Sequence, residues 1–185
     1  VGLIQEHGCE VTGELIVTTV PRFDVLVTSW LAVLQKENPS LRITLISEDR
    51  TLKLEYGQAH LAVRAGLKPT DPDNIVTHLL PVQFGMYAHK NYVKEMGTIQ
   101  SSDDLSRHNY VLETNFPIIS IQKWIDDNIA LENVSFKSSN YTTLEKAVID
   151  GMGIGLFPAF LAVENKDLEL VMPLEDEWRT DLWVV

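Results

Sequence analysis

Two widely separated segments of this chain each read as a strand running directly into the start of a helix, and that repetition limits the fold more than any other feature. The first is Gly13-Glu-Leu-Ile-Val-Thr-Thr-Val-Pro-Arg-Phe23, followed by an amphipathic stretch that closes near Asn38-Pro39. The second is Ser139-Asn-Tyr-Thr-Thr-Leu-Glu-Lys-Ala-Val-Ile-Asp-Gly151, after which Met-Gly-Ile-Gly-Leu-Phe-Pro158 reads as a further strand. A helix start leaves its first backbone amides without intrahelical acceptors and carries partial positive charge. Such a turn suits a small polar or anionic ligand. Two of them in one small α/β chain point to a ligand held between two lobes, not to bond-making chemistry.

The periodicity of the intervening residues supports this layout. Leu15–Thr18 reads as a buried strand, and Phe23, Leu26, Val27, Trp30, Leu31 and Leu34 form a helical stripe that Pro39 ends. Leu41–Ile46 is a second strand, Arg50–Tyr56 a short helix closed by Gly57, and Leu61–Val63 a third strand. Strands alternating with helices predict a largely parallel sheet covered on both faces. After the polar loop Lys68–Asn74, strands are expected at Ile75–Leu80 and Gln83–His89, on either side of Pro81. Then follow a helix at Lys90–Met96, a strand at Tyr110–Leu112, and a helix at Ile118–Asn128 with Ile118, Ile121, Trp124 and Ile125 inward. Val134–Lys137, Tyr141–Asp150 and Ile154–Phe157 read as strand, helix and strand, and Leu168–Leu170 and Leu182–Val185 as closing strands. The expected organisation is lobe I over 13–81 and 159–185 and lobe II over 82–158, with 1–12 as the end of a linker segment.

Composition removes several function classes. A formal net charge of −11 over 185 residues makes the chain by itself a poor binder of phosphate backbones. Cys9 is the single cysteine, so no disulfide framework exists within the chain, in keeping with a reducing, cytoplasmic setting. No apolar run approaches the roughly 18–20 residues that span a bilayer, and the first residues lack the pattern of a signal peptide. His7, His60, His78, His89 and His108 are scattered without ligand spacing, so no metal is expected. No GxSxG, HExxH or P-loop occurs, and Asp103-Asp104, Asp126-Asp127 and Glu175-Asp-Glu177 read as caps or solvated charge, so neither catalysis nor a cofactor is expected. Gly151-Met-Gly-Ile-Gly155 lacks dinucleotide-loop spacing and reads as a helix end leading into a strand. The absence of an opening Met and the final Leu182–Val185 strand suggest a piece of a longer protein.

An ordered series of landmarks resembles the effector-binding (regulatory) domain of LysR-type transcriptional regulators. It comprises Gly13–Thr19, Asn38-Pro-Ser-Leu-Arg-Ile-Thr-Leu45, Gly57-Gln-Ala-His-Leu-Ala-Val-Arg-Ala-Gly66, Tyr87-Ala-His-Lys-Asn-Tyr92 with Gly97, and Asp104-Leu-Ser-Arg-His108. Ala147-Val-Ile-Asp-Gly-Met-Gly-Ile-Gly-Leu-Phe-Pro158 is the most specific of them. The resemblance implies an α/β fold of two Rossmann-like lobes with a central cleft, of the periplasmic-binding-protein-like (type 2) architecture. It implies a sensor for a small effector, dimerising with itself, with a tetramer as the alternative when full-length. DNA would be reached only through an N-terminal helix-turn-helix absent from these residues. An extracytoplasmic solute-binding protein of the same fold is the alternative.

Thr18, Thr19, Pro21 and Arg22 lie at the first strand-to-helix turn, where Arg22 offers a two-pronged donor for a carboxylate or phosphate. Its bland alternatives are solvent or a bond to Asp24. Tyr141, Thr142 and Thr143 open the second helix, where Thr142 with Glu145 also has capping-box spacing. By analogy with the family, Asp49, Thr51, Arg64, Glu113, Asn115 and Phe116 occupy the remaining cleft-facing turns. If Arg22 and Glu113 face each other, a zwitterionic ligand would fit, otherwise an anionic one.

Overall fold

The structure, a computed structural model, describes residues 11–48 and 58–185. The expected helix at Arg50–Tyr56, its Gly57 stop, most of the linker segment, and the candidates Asp49 and Thr51 lie outside the described residues. The described residues form two compact units: one comprises those up to Arg64 with Asp71–Val76 and Val184–Val185, the other Ala65–Thr70 and Thr77–Trp183.

The first unit is built on parallel strands. β1 (Gly13–Thr19) runs beside β2 (Leu41–Ser47) in register from Gly13 opposite Leu41 to Thr19 opposite Ser47, and beside β3 (Leu61–Gly66) with Thr18 opposite Ala62. The strand order β2-β1-β3 places the connections leaving β1 on opposite sides of it. Val185 exchanges both backbone hydrogen bonds with Ala62 at 2.9 Å, the mark of an antiparallel pair. Burial rises along β1, from exposed Gly13 and Glu14 to fully enclosed Val17, Thr18 and Thr19. A 3₁₀ turn at Pro21–Phe23 leads into α1 (Asp24–Glu37), with Pro21 where its missing N–H is harmless. Of the six stripe residues only Phe23 and Val27 are buried; Leu26, Trp30, Leu31 and Leu34 are half exposed, and Val25 and Val33 stand in solvent.

The second unit is organised around β4 (Thr77–His89), one continuous strand where two were expected. Pro81 does not break it. β7 (Gly155–Pro158) pairs antiparallel with β4 only from Phe84 onward, so the exposed Pro81 lies upstream of that ladder, a position that tolerates a missing N–H. β8 (Leu168–Leu170) pairs with the end of β4, and β9 (Arg179–Val184), longer than expected, lies along its other side. β5 (Tyr110–Glu113) and β6 (Val134–Ser138) form a separate parallel pair.

Helices α2 (Lys90–Met96), α3 (Ile119–Asn128) and α4 (Tyr141–Ile149) fall where the periodicity placed them. α4 packs against β4, β5, β6 and β7, and its Tyr141, Leu144, Ala147 and Val148 share a core with Tyr87, Val111 and Phe157. Gly151, at φ +82°, follows the last turn of α4; Met152 N donates back to Ala147 O at 3.0 Å and Gly151 N to Val148 O at 2.9 Å, closing the helix end. α5 (Ala159–Glu164), absent from the sequence expectation, packs against β4, β7 and β8 in this unit. Trp178, 1% exposed, meets the ring of Trp124 edge-on at 5.0 Å and so ties the segment before β9 to α3.

Candidate functional site

The carboxyl end of β1 is where the first unit concentrates polarity. Because β1, β2 and β3 are parallel, their carboxyl ends share one edge, and the order β2-β1-β3 makes β1 the point at which the connections diverge. Ligands of open α/β sheets bind outside such an edge at such a point. Thr18 and Thr19 are both 0% exposed, and neither hydroxyl has a hydrogen-bond partner among the described residues. A hydroxyl enclosed without a partner costs about 1–3 kcal/mol, so two adjacent ones mark a place where packing alone has not optimised the chain.

Arg22, in the 3₁₀ turn two residues beyond Val20, is 7% exposed. That removes the solvent reading of its guanidinium. Asp24 accepts from the Ser47 hydroxyl at 2.7 Å, which fastens the start of α1 to the end of β2. Phe23, at the N-cap position of α1, supplies no side-chain cap. Pro21 is half buried on the same turn. Arg64, near the end of β3, is half buried, and that burial pulls its guanidinium below the ordinary arginine value. Thr18, Thr19, Pro21, Arg22 and Arg64 thus lie at the carboxyl ends of β1 and β3.

In the second unit the carboxyl ends of β5 and β6 form the equivalent edge. Glu113 lies opposite Ser138 in the register, and Thr114 N donates to Ser138 O at 3.0 Å. Glu113, exposed Asn115 and the start of α4 therefore share this edge. The helix is capped by Asn140, whose Oδ1 accepts from Thr143 N at 2.9 Å and from the Thr143 hydroxyl at 3.1 Å. Thr142 is exposed and does not cap, so the Thr142–Glu145 capping box is not formed; the helix starts two residues earlier, with Asn140 as its N-cap. Glu145 is instead half buried on α4, and burial pushes its carboxyl above the usual range.

Two aromatic candidates point away from a simple polar edge. Tyr141 is 8% exposed, with its ring edge-on to Phe157 at 6.2 Å. Phe116 is 6% exposed and meets Phe84 edge-on at 5.6 Å, while its N–H donates to Gln122 Oε1 at 2.8 Å. Sequence reasoning passed over Asn140 as the cap; its signal was its place immediately before the helical stripe. Among the described residues no group of three or more His, Cys, Asp or Glu side chains could hold a metal ion, and no helix is long and apolar enough to cross a membrane.

A family profile described as the LysR substrate binding domain matches residues 10–185. Among solved structures, the regulatory domain of CrgA, a LysR-type transcriptional regulator from Neisseria meningitidis, is similar at a TM-score of 0.77 and 22% identity, over 94% of this chain and 88% of that one. The regulatory domain of AphB in Vibrio vulnificus is similar at 0.73 and 17% identity, over 94% and 88%. The AmpR effector binding domain from Citrobacter freundii is similar at 0.70 and 12% identity, over 94% and 87%. At these identities the likeness is one of fold. Among curated proteins no sequence matches this chain.

Proposed function

The chain belongs to the LysR substrate-binding domain family, and from that premise we propose that it senses a small anionic or zwitterionic effector held between two lobes. It is an effector-binding regulatory domain of a LysR-type transcriptional regulator, in a family of non-enzymatic sensors, with the two-lobed, type 2 periplasmic-binding-protein-like fold of such domains. The observation that carries the effector class is the enclosed pair Thr18 and Thr19 beside a buried arginine at the carboxyl edge of β1. Hydroxyls can donate to an oxyanion, and a guanidinium off the solvent favours a negative partner.

The candidate contacts remain Thr18, Thr19, Pro21, Arg22, Asp49, Thr51 and Arg64 on one side and Glu113, Asn115, Phe116, Tyr141 and Thr142 on the other. The chain would cross between lobes near Pro81 and return after Pro158, in the stretch leading to β9. An effector shifts the lobe arrangement only by its differential affinity for the alternatives. That shift would alter DNA binding or transcription activation through the helix-turn-helix of the full-length cytoplasmic regulator. The half-exposed stripe of α1 supports self-association through that helix as a dimer. Val25→Lys with Val33→Lys, both on solvent-facing positions, should convert a dimer to a monomer in sedimentation without unfolding it.

The effector reading is tested by a thermal-shift screen with small carboxylates, amino acids and phosphate esters. A ligand at a hundredfold excess over its Kd stabilises the native state by about 2.7 kcal/mol. A hit that survives in Leu131→Ala, an exposed position outside both proposed surfaces, but disappears in Arg22→Ala supports the reading. Hits confined to neutral compounds and indifferent to Arg22 would sink it.

A further inference from the structure

We propose that the buried corner around His108 is an acid-sensitive element of the second unit: protonating its imidazole disrupts the hydrogen-bond chain that ties α2 to the start of β5 and to the turn into β7. His108 is 2% exposed and Tyr92, on α2, is 8% exposed. The Tyr92 hydroxyl oxygen accepts from the backbone N–H of Asn109 at 2.9 Å and lies 3.3 Å from His108 Nδ1. We assign the Tyr92 hydroxyl as the donor to Nδ1 in the neutral-histidine state. The imidazole is then the acceptor, neutral, with its own hydrogen on Nε2. A proton added at Nδ1 sets two donors against each other and leaves a charge enclosed.

The corner is built tightly around this chain. Asn109 O accepts from Ile154 N at 2.8 Å, and a Cβ on Gly153 would lie 2.4 Å from that oxygen, so only glycine fits there. Asn133 Nδ2 donates to Ser106 O at 2.8 Å and to His108 O at 3.2 Å, and Tyr110 Oη donates to Leu105 O at 3.0 Å. The Ser135 hydroxyl is within reach of both Tyr110 O and Met152 O, at 3.1 and 2.8 Å. Displacement at His108 is thereby felt at β5, β6 and the end of α4 together.

The neighbouring groups do not change charge in the relevant range. Asp104 and Arg107, on the 3₁₀ segment Ser102–Arg107, form an ion pair at 3.3 Å; Asp104 favours the protonated imidazole and Arg107 opposes it. Bonds from the Gln100 and Ser101 amides and the Ser101 hydroxyl hold the Asp104 carboxyl below its usual range, so it stays ionised above about pH 5. Burial pushes the Tyr92 and Tyr110 phenols up, so both stay neutral. Lys94 and Glu95 of α2 and Glu132 beside Asn133 are exposed. Burial, the largest influence on His108, drives its imidazole below the ordinary histidine range. The unfolded chain then binds the proton more readily, so His108 contributes stability that is present above about pH 6.5 and lost as pH falls through its lowered folded value.

The test measures Tm between pH 7.5 and 5 for the 185-residue chain and for His108→Gln, with histidine-ring NMR titration of the unmodified chain. The wild type should lose more Tm on acidification than His108→Gln, and the His108 ring should titrate below the exposed histidines. Parallel Tm profiles would overturn the proposal. Should His108→Gln fail to fold, the ring titration decides: a midpoint at or above that of the exposed histidines contradicts the acid-sensitive corner.

Discussion

The two strand-to-helix turns look alike in sequence and are built on opposite principles. At β1–α1, among the described residues, no side chain caps the helix and two enclosed threonine hydroxyls have no partner, and Arg22 of the same turn is buried. At β6–α4 Asn140 caps the first turn, Thr142 faces solvent, and Tyr141 goes into the core. The second turn is capped by its own side chain; the first encloses two threonine hydroxyls that no described residue bonds. The helices repeat the contrast. α4 packs on four strands, whereas α1 buries only Val27 of its own residues and keeps an apolar flank half exposed. Polar demand at the turn and apolar demand on the helix both accumulate on the β1–α1 side, where the effector and the second copy are proposed to bind.

The largest expected effect separates the helices. Leu144→Ala, in the α4 core, should lower unfolding free energy by about 2–5 kcal/mol in urea titrations. Val33→Ala, on the exposed side of α1, should stay within about 0.5 kcal/mol of wild type for the monomer. Equal losses would show that α1 is packed as α4 is and dissolve the contrast.

Next come two edits of a single polar group with opposite signs. Asn140→Ala should destabilise the chain by about 1 kcal/mol, because the Thr143 amide loses its acceptor. Thr18→Val, which keeps the side-chain shape and removes an unpartnered hydroxyl, should stabilise the ligand-free chain by about 1 kcal/mol. Chemical denaturation of both resolves the signs.

The smallest effect is a pH dependence on α4. Burial raises the Glu145 carboxyl in the folded chain, so folding favours its protonated form, and that favourable contribution is lost as pH rises through the folded value. Glu145→Gln should therefore be slightly more stable than wild type near pH 7, with the difference fading below the ordinary glutamate range. A difference that grows on acidification would contradict the assignment of burial as the cause.

Much of the architecture was legible because local pattern and tertiary packing agree there. Lys90–Met96 carries its own stop in Gly97, and Leu168–Leu170 is a short strand preceded by the polar Asn165-Lys-Asp167. Pro81 misled because a proline's effect depends on whether the strand is paired at that point, which the sequence does not state. α5 is a six-residue helix after Pro158, too short for periodicity to separate from a loop. At the site, the positions of Thr18, Thr19 and Arg22 were legible from the strand-to-helix boundary. Their enclosure was not, since it depends on β2 and β3 closing around β1. Thr142 was misassigned as a cap because Asn140-Tyr-Thr-Thr143 offers three capping side chains in four positions, and only backbone geometry selects among them.

The most direct test of the β1–α1 turn as an effector site compares wild type and Thr18→Val in the thermal-shift screen. A higher ligand-free Tm for Thr18→Val, together with a smaller shift from the anionic compound that stabilises wild type, is the predicted result. A lower ligand-free Tm with an undiminished ligand shift would show that the hydroxyl serves the fold and that the effector binds elsewhere.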